Sequence, residues 1–250
     1  MKIKKILVSQ PEPTDPKSPY FELREKCNLK IDFRQFIHVE HVSAKEFRTQ
    51  KIDILAHTAV IFTTRTGIDH FFQLCEEMRI TVPETMKYFC VSESIAVYLQ
   101  KYIIYRKRKI FHSTGKFANL VDVLRKHKDE TYLVALSDIH NDDIPNLMNK
   151  YKFRYTCATI YKTVASDLHD IQITDYDMLV FFSPQGIKSL FTNFPDFQQN
   201  DIKVACFGAG AAQAVLDAGL RLDVQAPVPE APSMTMALDQ YIRKYNRTQK

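Results

Sequence analysis

Several short turns in this sequence carry a hydroxyl or a glycine where an apolar run gives way to a helical pattern. They are Thr64 and Gly67 in VIFTTRTGIDHFF, Ser92 in YFCVSESIAVYL, Ser183 and Gly186 in LVFFSPQGIKSLF, and Gly208 and Gly210 in VACFGAGAAQAVL. A helix amino terminus presents unpaired N–H groups and a partial positive charge, which attract carboxylates and phosphates. Glycine there lets the chain turn sharply or lets a ligand approach closely. Each turn alone has a plainer reading, because Thr64, Ser92, Ser113 and Ser183 are residue types that cap helices everywhere. Several such turns converging on one cleft point instead to a polyanionic ligand. At the level of sequence both readings stand.

Other chemistries lack their residues. No G-x-x-x-x-G-K-[ST] cradles a nucleotide phosphate, and no G-x-S-x-G marks a nucleophile elbow. Gly208-Ala-Gly210-Ala-Ala-Gln213 imitates the start of a dinucleotide fingerprint but lacks its third glycine. His38 and His41 are a pair without a second pair nearby, so no metal site is expected. Cys27, Cys75, Cys90, Cys157 and Cys206 are widely spaced, odd in number and mostly flanked by apolar residues, which suits free buried thiols. Asp138, His140, Asp142 and Asp143 read as a solvated acidic turn. The net charge of +5 suits an anionic ligand but is too small and scattered for nucleic acid. Its densest cluster, Tyr105 to Lys109, reads as a solvated loop before a strand.

The elements that must hold these turns repeat one βα unit. Strands are expected at 4–8, 60–63, 88–91, 109–112, 132–136, 178–182, 204–207 and 222–226, short and apolar on successive residues, as parallel strands covered on both faces are. Helical stripes recur at i, i+3, i+4 and i+7, as in Ile68-Phe71-Phe72-Cys75 and Ile187-Leu190-Phe191-Phe194. Alternation of this kind implies an α/β fold with parallel sheets. The halves are also alike: VIFTTRTGIDHFF aligns with LVFFSPQGIKSLF, YFCVSESIAVYL with VACFGAGAAQAV, and the stretch after KILVSQ with that after YLVALS. The two halves carry these units in different cyclic order. That order routes residues 1–35 and 163–250 into one discontinuous domain and 40–160 into another, with 31–39 and 156–164 as paired connecting strands. Ligands of such sheets bind beyond the carboxyl ends of the strands, where the hydroxyl and glycine turns lie. No run approaches the ~20 apolar residues of a membrane-spanning helix. The opening MKIKKILVSQPEP is too short in apolar residues for a signal peptide, so the cytoplasm is the expected compartment.

Taken in order, KKILVSQPEP, VIFTTRTGIDHFF, ATIYKTV, FFSPQGIKSLF, VACFGAGAAQAVLDAGL and APVPEAPSMTMALDQYI resemble the uroporphyrinogen-III synthase family over nearly the whole chain. The resemblance implies two flavodoxin-like parallel-sheet domains joined by a two-stranded linker, the first domain discontinuous. It implies hydroxymethylbilane as substrate, cyclised to uroporphyrinogen III with one ring inverted and water lost, by a monomer without cofactor. The family's site tyrosine falls on Tyr161 in IYKT, whose phenol would assist the departing hydroxyl. Thr64, Ser92 and Ser183 match hydroxyl turn positions. Where the family commonly has a threonine pair, this chain has Gly208-Ala209-Gly210-Ala211, leaving only main-chain N–H groups to bind. The competing class is a non-catalytic two-domain binder of a polycarboxylate or tetrapyrrole. A periplasmic-type solute receptor would need an export signal.

Overall fold

Every residue of Ala59–Phe62 and of Met178–Phe181 is buried, as strands sandwiched between helical layers must be. The computed structural model describes residues 2–140 and 142–249. In chain order its regular elements are β1 (Lys5–Val8), α1 (Pro19–Cys27), β2 (Lys30–Phe33), β3 (Ile37–His41), α2 (Ala44–Thr49), β4 (Ala59–Phe62), α3 (Arg65–Glu77), β5 (Lys87–Cys90) and α4 (Glu93–Tyr98). They continue with β6 (Ile110–His112), α5 (Phe117–Leu124), β7 (Thr131–Ser137), α6 (Asp143–Lys150), β8 (Arg154–Ala165), β9 (Met178–Phe181), α7 (Pro184–Asn193), β10 (Lys203–Phe207), α8 (Ala209–Asp217), β11 (Val224–Ala226) and α9 (Met234–Thr248).

The chain divides into two compact units, Met1–His38 with Val164–Lys250, and Val39–Thr163. It passes from one to the other within β3 and again within β8. The discontinuous unit holds a sheet of order β11-β10-β9-β1-β2, with all neighbours parallel. Alternation along its strands feeds two cores. Leu7, Leu179 and Phe181 face α7 and α8, whereas Ile6, Val8, Met178 and Val180 face α9. The contiguous unit holds a sheet of order β3-β8-β7-β4-β5-β6, parallel from β8 to β6.

Counted from β1, the first sheet runs 2-1-3-4-5, the flavodoxin-like order. Counted from β7 and leaving β3 aside, the second sheet runs 2-1-3-4-5 as well. The likeness between the halves of the sequence therefore has a structural basis. VIFTT and LVFFS are third strands, YFCV and VACF are fourth strands, and KILV and YLVALS are first strands. The units are circular permutations of one arrangement.

The segment 31–39 is not one connecting strand. Ile31 pairs with Ile6 and is buried in the core of the discontinuous unit, so residues 31–33 belong to β2. Phe36, also buried, ends that stretch, and only Ile37–His41 forms the strand through which the chain leaves. The five cysteines are free. Burial pushes the Cys75, Cys90 and Cys206 thiols up to about 12, which leaves them protonated and unreactive. Among the described residues no helix is long and apolar enough to cross a membrane.

Candidate functional site

The carboxyl end of β4 leads through Thr63 into Thr64, the residue that caps α3. Thr64 Oγ1 accepts a hydrogen bond from Gly67 N at 2.9 Å and lies 3.3 Å from the Tyr161 hydroxyl. Tyr161 reaches this position through a β-bulge. Leu136 pairs with Thr159 and Ser137 with Tyr161, so Ile160 is the extra residue. Adjacent residues of a regular strand face opposite sides. Here Ile160 and Tyr161 are both buried, at 0% and 8% exposed, because the bulge turns Tyr161 back towards α3. Asp138 secures the distorted strand. Its N–H donates to Tyr161 O at 3.1 Å, and its carboxylate accepts from Thr163 N and from Ser137 Oγ, each at 2.9 Å. Asp138 is the exposed turn residue its sequence context suggests, and its carboxylate is in addition bonded to β8.

Two histidines complete the surroundings of the phenol. The His70 ring stacks on Tyr161 with centroids 5.6 Å apart, and the His41 ring stacks on His70 at 5.7 Å. His41 Nε2 lies 2.9 Å from Glu77 Oε1, a contact that holds the Glu77 carboxyl below its usual range. Burial, with a contribution from His41, lowers the affinity of His70 for a proton. Neither histidine was singled out for this place by sequence. His70 sits beside the apolar stripe of α3, and only the register of β3 against β8 brings His41 to it.

On the neighbouring turn Ser92 occupies the cap position of α4, but its hydroxyl lies 3.1 Å from that of Ser94 and makes no cap bond. Ser113 is not a cap either. Helix α5 starts at Phe117, and Ser113 Oγ donates to Val91 O at 2.8 Å, tying two strand ends together. Thr63, Gly115, Lys116, Phe117 and Lys150 line a groove of about 660 Å³ along this rim. Its two lysines stand among apolar side chains and one carboxylate, Asp143.

The discontinuous unit repeats the capped turn. Ser183 Oγ accepts from Gly186 N at 3.2 Å. A Cβ at Gly186 would stand 3.3 Å from Phe181 Cδ1, so the buried Phe181 ring would have to give by a few tenths of an ångström, and 3.7 Å from Ser9 Oγ, an ordinary contact. Ser9, which follows β1, is a hydroxyl on this rim that the sequence pattern did not single out. Gly208 follows β10 with φ 90°, and its N–H donates to Ala226 O at 2.7 Å. The first-turn amides of α8, from Ala209 to Ala211, have no carbonyl one turn back and remain the groups an anion can use. Thr64, Gly67 and Tyr161 are therefore brought together in one unit, with Ser92 on the next turn. Ser183, Gly186, Gly208 and Gly210 lie beyond β9 and β10 in the other. Among the described residues no group of three or more His, Cys, Asp or Glu side chains is placed to hold a metal ion.

The double use of the Thr64 hydroxyl yields a measurable expectation. Thr64→Ala should lower unfolding stability by about 0.5–2 kcal/mol through loss of the cap, and Thr64→Ser should restore most of it. Urea unfolding of both variants checks this. Equal stability of all three proteins would remove the cap.

No curated protein matches the chain in a sequence search. Among solved structures it is similar to a uroporphyrinogen-III synthetase from Helicobacter pylori, with TM-score 0.54 and 13% identity over 99% of this chain and 100% of that one. It is also similar to a mutant uroporphyrinogen III synthase from Thermus thermophilus, with TM-score 0.53 and 13% identity over 96% of this chain and 99% of that one. At such identity these likenesses establish the fold. The family model described as uroporphyrinogen-III synthase HemD matches residues 32–236. This match spans most of both units, and the chain belongs to the uroporphyrinogen-III synthase family.

Proposed function

We propose that this chain cyclises hydroxymethylbilane to uroporphyrinogen III, acting as a hydro-lyase in tetrapyrrole synthesis. The observation that supports it best is the Tyr161 phenol, held 3.3 Å from the Thr64 hydroxyl on a rim of amide-bearing helix starts. In this reading the Tyr161 O–H donates to the hydroxyl of the terminal hydroxymethyl group as its C–O bond breaks. The electrophilic methylene left behind is attacked by the far pyrrole through its substituted carbon. The resulting spiro intermediate fragments and recloses with that ring inverted. The proton then lost from the reclosed ring balances the hydroxide, and water is the by-product.

The turns at Thr64, Gly67 and Ser92, and those at Ser183, Gly186, Gly208 and Gly210, would hold acetate and propionate groups through main-chain N–H donors. Such donors need no reorganisation as the substrate bends. Orientation of this kind contributes up to about 7–11 kcal/mol in favourable cases. The proposed domains are 1–35 with 163–250, and 40–160, in a cytoplasmic monomer.

Leaving group and nucleophile both reside on the substrate, so no metal or organic cofactor is needed in this scheme. Protein treated with a chelator and fed fresh hydroxymethylbilane should produce the type III isomer at its full rate, as resolved by chromatography of type I and type III products. Activity lost on chelation and restored by a metal would contradict the cofactor-free scheme. Type I product alone, at the uncatalysed rate, would make the chain a binder.

A further inference from the structure

Tyr161 follows the bulge of β8 and is paired with Ser137, so the ladder holds its backbone but does not set the rotamer of its ring. Something else must hold its ring, and α3 supplies it. Thr64, Gly67 and His70 are spaced three apart, so each neighbours the next along a row that winds around the start of α3. The hydroxyl partner of Tyr161 thus stands at the head of α3 and an imidazole stands further along, both from one rigid element. The His70 and Tyr161 rings are inclined by only 23°, and the His41 and His70 rings by 22°, so three rings form a continuous stack. Glu77, on the same side of α3, closes the stack through its 2.9 Å contact with His41. Burial disfavours the charged form of His70, which leaves the phenol against a neutral flat face.

We propose that His70, backed by His41, is a positioning residue for Tyr161: its stacked ring holds the phenol in the rotamer that places the hydroxyl at Thr64. His70 touches no reacting atom in this scheme and acts through Tyr161 alone. The inference rests on the reading of Tyr161 as the group that assists hydroxyl departure.

The test is a double-mutant cycle with an independent spectroscopic arm. His70→Ala should lower kcat for type III formation about five- to tenfold with KM nearly unchanged, the size expected for one lost aromatic contact. His70→Phe, which keeps a flat ring, should recover most of the rate. In a Tyr161→Phe background, His70→Ala should cost almost nothing further. Additive losses in the cycle, or failure of His70→Phe to recover the rate, would overturn the proposal.

The second arm needs no turnover. In protein labelled at its tyrosine ring carbons, the Tyr161 resonance, assigned by its absence from Tyr161→Phe, should lose its ring-current shift in His70→Ala and retain it in His70→Phe. An unchanged resonance in His70→Ala would also overturn the proposal. If His70→Ala does not fold, His70→Leu fills the space without an aromatic face and should show the same losses. A wild-type protein that makes no type III product would instead sink the functional reading, while the resonance still judges the stack.

Discussion

Replacing Tyr161 by phenylalanine should slow type III formation about ten- to a hundredfold while leaving product binding close to normal. The magnitude follows from loss of one transition-state hydrogen bond of about 1.5–3 kcal/mol. The substitution is small: the ring, its stack on His70 and its burial all remain, and only the oxygen 3.3 Å from Thr64 is removed. Unfolding stability should change little, because Thr64 Oγ1 keeps its bond from Gly67 N. The bilane that escapes catalysis closes without inversion, so the type I isomer should accumulate as the type III rate falls. Product ratios from timed quenches, together with calorimetric titration of the product, separate turnover from binding. Full type III turnover in the variant would reduce the phenol to a packing residue, and catalysis would rest on substrate bending alone.

The turn at Gly208 should be nearly as sensitive, for a different reason. Its φ of 90° with ψ 147° lies in a region essentially restricted to glycine, yet a Cβ there would meet nothing within 4 Å. The cost of Gly208→Ala is therefore backbone strain and not crowding, about 1–3 kcal/mol. The turn relieves that strain by rotating, which moves the first amides of α8 away from an anion. Product affinity should fall together with stability. Gly210→Ala makes the control. Position 210 lies inside α8 with only Pro184 Cγ nearby, at 3.8 Å from the added carbon. Alanine should be tolerated there and add up to about 1 kcal/mol of helix stability. Urea unfolding and product titration of both variants test the contrast. Normal binding by Gly208→Ala would show that the start of α8 does not contribute.

Much of this architecture can be read from spacing alone. Runs such as VIFT and MLVFF are apolar on successive residues because helices cover both faces of their strands, and their length admits little else. The capped turns at Thr64 and Ser183 follow from a hydroxyl three residues before a glycine, and both hydroxyls accept from that glycine's N–H. Other features depend on details that residue types do not encode. Ser92 and Ser113 have cap chemistry, but α4 leaves the Ser92 hydroxyl to Ser94, and α5 begins too late for Ser113. The bulge at Ile160 is silent in ATIYKTV, because a regular strand would carry the same residues. The stack of His41, His70 and Tyr161 draws on three elements distant in sequence, and its members are aligned only once β3 and α3 have packed beside β8.

The permuted relation between the two sheets also orders events at the ribosome. All strands of the contiguous unit from β4 to β8 leave the exit tunnel as one uninterrupted stretch, so this unit can close while later residues are still being added. The other unit waits. Its β1 emerges first but finds its central partner only when Met178 pairs with Ile6. Its last fastening arrives with α9, where Asn246 exchanges hydrogen bonds of 2.8 and 2.9 Å with the backbone of Ile3. Until β9 is made, β1 and β2 have only each other to pair with. During synthesis this unit is thus the one exposed longest to chaperones and proteases, at β1 and β2.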